Sequence, residues 1–293
     1  MAEFNSLAVR SDTDRVRLNA LRAKQATAIR TFIPYERRDI VSDTDMRQQM
    51  RLVFGLAPTD NKEVCVCGSD LVSGHAHACI RTRKQCAEAR HDIVVSAIRG
   101  LIMTHSSVHV RVEYRPVSKT GERLTRQRPD LCIDSSILAD VVVSTPTCAS
   151  YVRDGVDSVV KSEKAKVAKY SALTARLNST FHAIAFSAYG GWGESAVKFM
   201  TKMADLVVER SISGDLTRAS FLSRARRVIA VALTKGNANL VRASLGRSMI
   251  RPMRFGGADR GSVGGSASHI LAAAAAASAL SVSGGAGAGR ARL

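Results

Sequence analysis

A chain of 293 residues with 45% hydrophobic but only 5% aromatic content can bury a core built mostly of Val, Ile, Leu and Ala, as one large domain or two small ones. A formal net charge of +18 makes a polyanion the natural partner, with nucleic acid first among them. Six cysteines without an apolar leader argue against a secreted disulfide scaffold, and the Ala-rich run at 271–280, flanked by Gly and Ser, is too short to span a bilayer. The expectation is an intracellular protein with reduced thiols and no membrane partner.

Residues 1–62 read as a polar, helix-prone segment, with helical patterns over 15–24 and 46–54, where Met46, Met50 and Val53 share one face. A Cys/His cluster fills 63–86. A helix is predicted over 90–105, with Ile93, Val94, Ala97, Ile98 and Leu101 on one side. Residues 108–114 alternate apolar and polar as a half-buried strand does, 118–122 reads as a turn, and 131–134 and 137–143 are short and apolar like buried strands. A charged amphipathic helix follows over 157–177, then a strand over 181–187 closed by Gly190-Gly191-Trp192-Gly193, then helices over 194–211 and 218–248. Trp192, the lone Trp, reads as a packing plug. The order predicts an α/β fold: a central mixed β-sheet flanked by helices over 87–215, preceded by N-terminal helices and followed by a basic C-terminal helix over 216–255. Residues 256–293 are Gly, Ala and Ser with little else, the composition of a disordered tail.

The cluster has the spacing of a metal site. Cys65, Cys67, His75 and Cys79 offer three thiolates and one imidazole, a set that satisfies tetrahedral Zn²⁺. Gly68 lets the backbone turn so that amides can point at sulfur. His77 competes with His75, but His75 leaves three residues before Cys79 where His77 leaves one, which is the easier geometry. Cys86 reads as a buried thiol. Four ligands leave no open position, so such a site is structural or grips nucleic acid.

A second set of residues suits phosphodiester chemistry. Arg128-Pro129-Asp130 opens one short strand, and Asp140 lies in the next. Two carboxylates on adjacent strands fit Mg²⁺, which prefers oxygen ligands and lowers the pKa of an attacking water. An ammonium from the lysine run at 161–169 would stabilise developing charge. Late in the chain, Arg224, Arg226 and Arg227 would contact phosphate without reading sequence.

The Cys-x-Cys-Gly…His-x3-Cys pattern, then Arg90-His91-Asp92, Arg-Pro-Asp…Asp-Val, Lys-x-x-Lys-Tyr, the Gly-Gly-Trp-Gly turn and Gly236-Asn237-Ala238 occur in that order over 46–250. In this the chain resembles the C-terminal region of R2-like non-LTR retrotransposon proteins, which join a CCHC zinc knuckle to a restriction-like endonuclease of the PD-(D/E)xK superfamily. The resemblance implies a knuckle at 63–86, metal ligation by Asp130 and Asp140, and target-DNA nicking in the nucleus, with RNA of the parent element as a second partner. The superfamily's lysine belongs two residues after the second acid, where this chain has Val142. The resemblance then assigns the role to Lys166 or Lys169 on the following helix, makes Arg128 a substrate contact and Tyr170 a residue that packs or contacts the substrate, and allows Glu113 or Asp92 to complete the metal shell. No Tyr/Phe-x-Asp-Asp stretch is present, which points to a tail, a truncated copy or a domesticated remnant of the parent element. The rival expectations are an inactive nucleic-acid-binding protein and a protein-interaction module.

Overall fold

The computed structural model describes residues 11–249 except 33, 35, 36, 118–121 and 213. The chain divides into two units, Met1–Pro252 and Met253–Leu293. The tail expected over 256–293 lies outside the described residues, as does all but the last residue of the turn expected at 118–122.

Helices α1 (Asp12–Leu21), α2 (Ala28–Thr31) and α3 (Asp43–Phe54) precede a loop, the single turn α4 (His75–Ala78) and the long α5 (Ile80–Met103). Strands β1 (Val110–Val112), β2 (Leu131–Ile133) and β3 (Ile137–Ser144) follow, then α6 (Ala149–Asp154), α7 (Ser158–Leu177), β4 (Thr180–Ser187), α8 (Glu194–Glu209) and α9 (Arg218–Ser244). The four strands lie in the order β1-β2-β3-β4, antiparallel except for the parallel pair β3–β4. This is the mixed sheet flanked by helices that the sequence predicts.

The two-residue period of a strand sorts the core into two layers. Leu131, Ile133, Ile137, Ala139 and Val141 pack with Val94 and Ile98 of α5, Phe199 and Met203 of α8, and Phe221 and Ile229 of α9. Their neighbours Cys132 and Leu138 face the other way, against Tyr170 and Leu173 of α7. Asp140 shares the parity of Leu138 and is therefore delivered to the α7 face. Asp157 caps α7 by accepting from the Val159 and Val160 amides, which fixes where the helix starts and so which residues meet the sheet. Trp192 packs edge-on against Phe186 at 5.6 Å, as a plug does.

The element boundaries differ from expectation in two places. β1 stops at Val112 because Glu113 takes a left-handed backbone, φ 51°, that no strand continues through. α5 starts ten residues before position 90, at Ile80, over a stretch whose polar composition carries no apolar period. That extra length runs unbroken from the Cys/His loop into the core.

α9 is buried on nearly all sides from Ile229 to Val241, as a helix threaded through a core must be. It crosses α5 at Gly236, where an added Cβ would overlap Arg90 Cγ and press on Arg90 Cβ and Cα. Those atoms are next to the backbone and cannot swing aside. Gly236→Ala is therefore expected to destabilise by about 1–3 kcal/mol, the usual cost of overpacking, read as a lower midpoint in urea.

Candidate functional site

The Cys/His loop closes on itself as the spacing suggests. Gly68, at φ 89°, turns the chain so that its amide donates to the Cys65 carbonyl at 2.7 Å. Cys65 Sγ lies 3.6 Å from Cys79 Sγ, and Cys67 Sγ lies 3.3 Å from His75 Nε2. A tetrahedron with metal–sulfur bonds of about 2.3 Å and metal–nitrogen bonds of about 2.0 Å has edges of roughly 3.5–3.8 Å. All four ligand atoms fall within 4.8 Å of one another, so the set is compatible with zinc. Hydrogen bonds from the Ser69 backbone and side chain pull the Cys67 thiol down to about 6, toward the thiolate a metal needs.

His77 stands outside this set. Its ring is buried and its Nδ1 sits 3.2 Å from Arg90 Nη1. Burial, then the Arg90 charge, lower its pKa to about 3, so it stays neutral and accepts from the guanidinium. Arg90 is itself buried, and donates further to Asn237 Oδ1 at 3.1 Å and to the Val143 carbonyl at 3.1 Å. One side chain thus ties the Cys/His loop to α9 and to β3. Cys86 is a buried thiol, as expected.

The acidic pair is built by strand register. Leu131 pairs with Ala139, so Asp130 and Asp140, one step further along each strand, are cross-strand neighbours. Asp130 Oδ2 accepts from the Val141 amide at 2.6 Å and from His91 Nε2 at 2.8 Å. Burial works against a charge on His91, but hydrogen bonds to Asp130 and Asp92 outweigh it and hold the ring up at about 9. Both ring nitrogens therefore donate at neutral pH.

Asp140 is only 3% exposed, and both of its oxygens are engaged. Tyr170 donates its hydroxyl to Oδ1, and Lys166 pairs with Oδ2. Burial and the neighbouring carboxylate push the Tyr170 phenol well above its ordinary pKa, which keeps its proton in place. The same hydroxyl lies 3.0 Å from the Arg128 carbonyl and accepts from Lys169 Nζ at 2.9 Å. Of the two lysines left open by the sequence, Lys166 contacts the acid directly, and Lys169 reaches it only through Tyr170.

Several expected roles change. Tyr170 is fully buried with its hydroxyl on Asp140, which fits the packing alternative and not the substrate contact. Glu113 pairs with Arg128 at 3.2 Å and Asp92 with His91 at 3.1 Å, so each of the two acids allowed to complete the metal shell has a cationic partner. Arg227 is turned inward onto the buried Asp39 at 3.0 Å, which removes it from the expected phosphate contacts. Arg224 is half-buried, and Arg226 is exposed. His91 is the residue that sequence reasoning named only as part of a motif. Its signal was the Arg90-His91-Asp92 triplet at the start of the predicted helix.

Among the described residues, no helix is long and apolar enough to cross a membrane. No protein-family model matches the chain and no curated protein does.

Proposed function

We propose that the protein is a metal-dependent DNA endonuclease of retrotransposon origin, with a restriction-endonuclease-like core and a CCHC zinc knuckle, acting in the nucleus. One observation carries the reading: cross-strand register sets Asp130 beside Asp140, and α7 lays Lys166 on the second acid. Asp130 and Asp140 would hold Mg²⁺ through hard oxygen donors. When bound, that ion supplies charge neutralisation and a lowered pKa for an attacking water. His91 and the Val141 amide fix the Asp130 carboxylate, and Tyr170 fixes that of Asp140. Lys166, 26% exposed at its side chain, is free enough to leave the Asp140 oxygen to an entering cation and to steady charge on a phosphate. The knuckle, with Cys65, Cys67, His75 and Cys79 closed around zinc, contributes structure and a grip on DNA or on RNA of the parent element.

A second reading, an inactive nucleic-acid-binding remnant, draws on the engagement of both Asp140 oxygens and their near-complete burial. Nicking of supercoiled plasmid with Mg²⁺ separates the two. Wild type is expected to convert plasmid to open circles and Asp140→Ala to leave it intact; equal residual signal from both proteins favours the remnant.

A further inference from the structure

Part of the cationic set on α9 is turned away from any outside partner, whereas another cationic group lies beside the acidic pair. Arg227 and Arg242 turn inward to Asp39 and Asp45, both buried. Beside the carboxylate pair, by contrast, residues 122–128 form a strap laid along α7. Gln127 Nε2 donates to the Lys169 carbonyl, Arg176 Nη1 donates to the Leu124 carbonyl at 3.0 Å, and the Tyr170 hydroxyl lies 3.0 Å from the Arg128 carbonyl. Gln127, held on α7, is only partly exposed, while Arg126 and Arg128 on either side of it are exposed. Lys169 is exposed on the adjoining turn of α7. The Arg128 guanidinium lies 3.2 Å from Glu113, and that carboxylate is itself well exposed, so the pair is a weak surface bridge that a phosphate can displace. Two residues beyond Arg128 is Asp130. A fixed cationic rim therefore borders the pair of acids.

We infer that this strap, through Arg126 and Arg128 with Lys169 beside them, is the surface that takes the sugar–phosphate backbone of the strand entering the site. The inference rests on the endonuclease reading for its choice of DNA, and on the strap's own geometry for its location. Planar guanidinium groups suit bidentate contact with phosphate oxygens, and a strap held to a helix by two of its backbone carbonyls and the Gln127 side chain presents them with little ordering left to do. Contacts of this kind give affinity and register without sequence reading.

The test is the salt dependence of binding to a short labelled DNA duplex, followed by fluorescence anisotropy on the zinc-loaded full chain without Mg²⁺. Cleavage cannot intervene, so this result is independent of the nicking assay. Arg126→Ala/Arg128→Ala is expected to lower the slope of log K against log salt by about two, one for each phosphate that is no longer neutralised. Arg224→Ala/Arg226→Ala on α9 is expected to leave the slope within roughly 0.5 of the wild-type value. Arg126→Lys/Arg128→Lys, which keeps the charges, should retain most of the slope and guards against a folding artefact. Equal losses in the two alanine variants, a loss confined to the α9 variant, or wild-type binding too weak to measure at moderate salt would overturn the inference.

Discussion

If zinc closes the Cys/His cluster, Cys79→Ser is expected to abolish its binding and, with it, to cost far more order than one loop contains. Cys79 is 3% exposed and immediately precedes α5, so the ligand and the first turn of that helix are continuous. Cys65, Leu71, Ala76, Cys79 and Cys86 form one apolar cluster with Leu240 and Val241 of α9. The Val66 amide donates to the Ser244 carbonyl at 2.9 Å, and His77 accepts from Arg90, which also holds Asn237 and the Val143 carbonyl. Structural zinc contributes about 10–16 kcal/mol of apparent binding free energy in small peptides, against a typical folding stability of about 5–15 kcal/mol. Even a loss of about 5 kcal/mol lowers Tm by roughly 10–20 °C in a chain of this size. Zinc content and a thermal melt check this together. A serine variant that lacks zinc yet melts with wild type would show that the loop is independent of the core.

The second large effect is a contrast between two neighbouring lysines. Lys166→Ala is expected to slow nicking by about 10²–10³-fold, the scale of losing one preorganised charge stabiliser in a transition state. Lys169→Ala is expected to slow it far less, because Lys169 reaches Asp140 only through the Tyr170 hydroxyl. The two changes differ in stability too, since Lys166 is the partner of a buried carboxylate and Lys169 is exposed on the α7 surface. Single-turnover rates on protein shown to be folded by its melt separate the effects. Equal rates for the two variants would remove Lys166 from the chemistry.

The elements and the acidic pair were legible because they follow from local rules. Strand period placed 131–134 and 137–143, and the short connection between them forces the antiparallel register that sets Asp130 against Asp140. The Cys/His cluster was legible because its spacing is local as well. What was not legible depends on how elements are laid against each other. A helical pattern over 157–177 states which residues share a face but not that Lys166 would stand over Asp140 while Lys169 would turn to Tyr170. Sequence leaves Tyr170 to pack or to meet a substrate, and only the fold shows its ring 4.8 Å from Phe181 with its hydroxyl satisfied inside. Arg227 reads as a phosphate contact because sequence gives no view of Asp39, 188 positions away, which pairs with it. The Arg90-His91-Asp92 triplet marks His91 as part of a motif but does not show that its Nε2 reaches a carboxylate 39 positions later.

As a nuclease, the protein needs Asp130 and Asp140 to act as one cation-holding pair. The most direct test follows plasmid nicking and duplex binding side by side, across a Mg²⁺ titration, for wild type, Asp130→Ala and the near-isosteric Asp140→Asn. Mg²⁺-dependent nicking is expected from wild type alone, with duplex binding retained in all three proteins. Nicking by either variant at the wild-type rate, or no nicking by zinc-loaded wild type at any Mg²⁺ concentration, would contradict the nuclease reading.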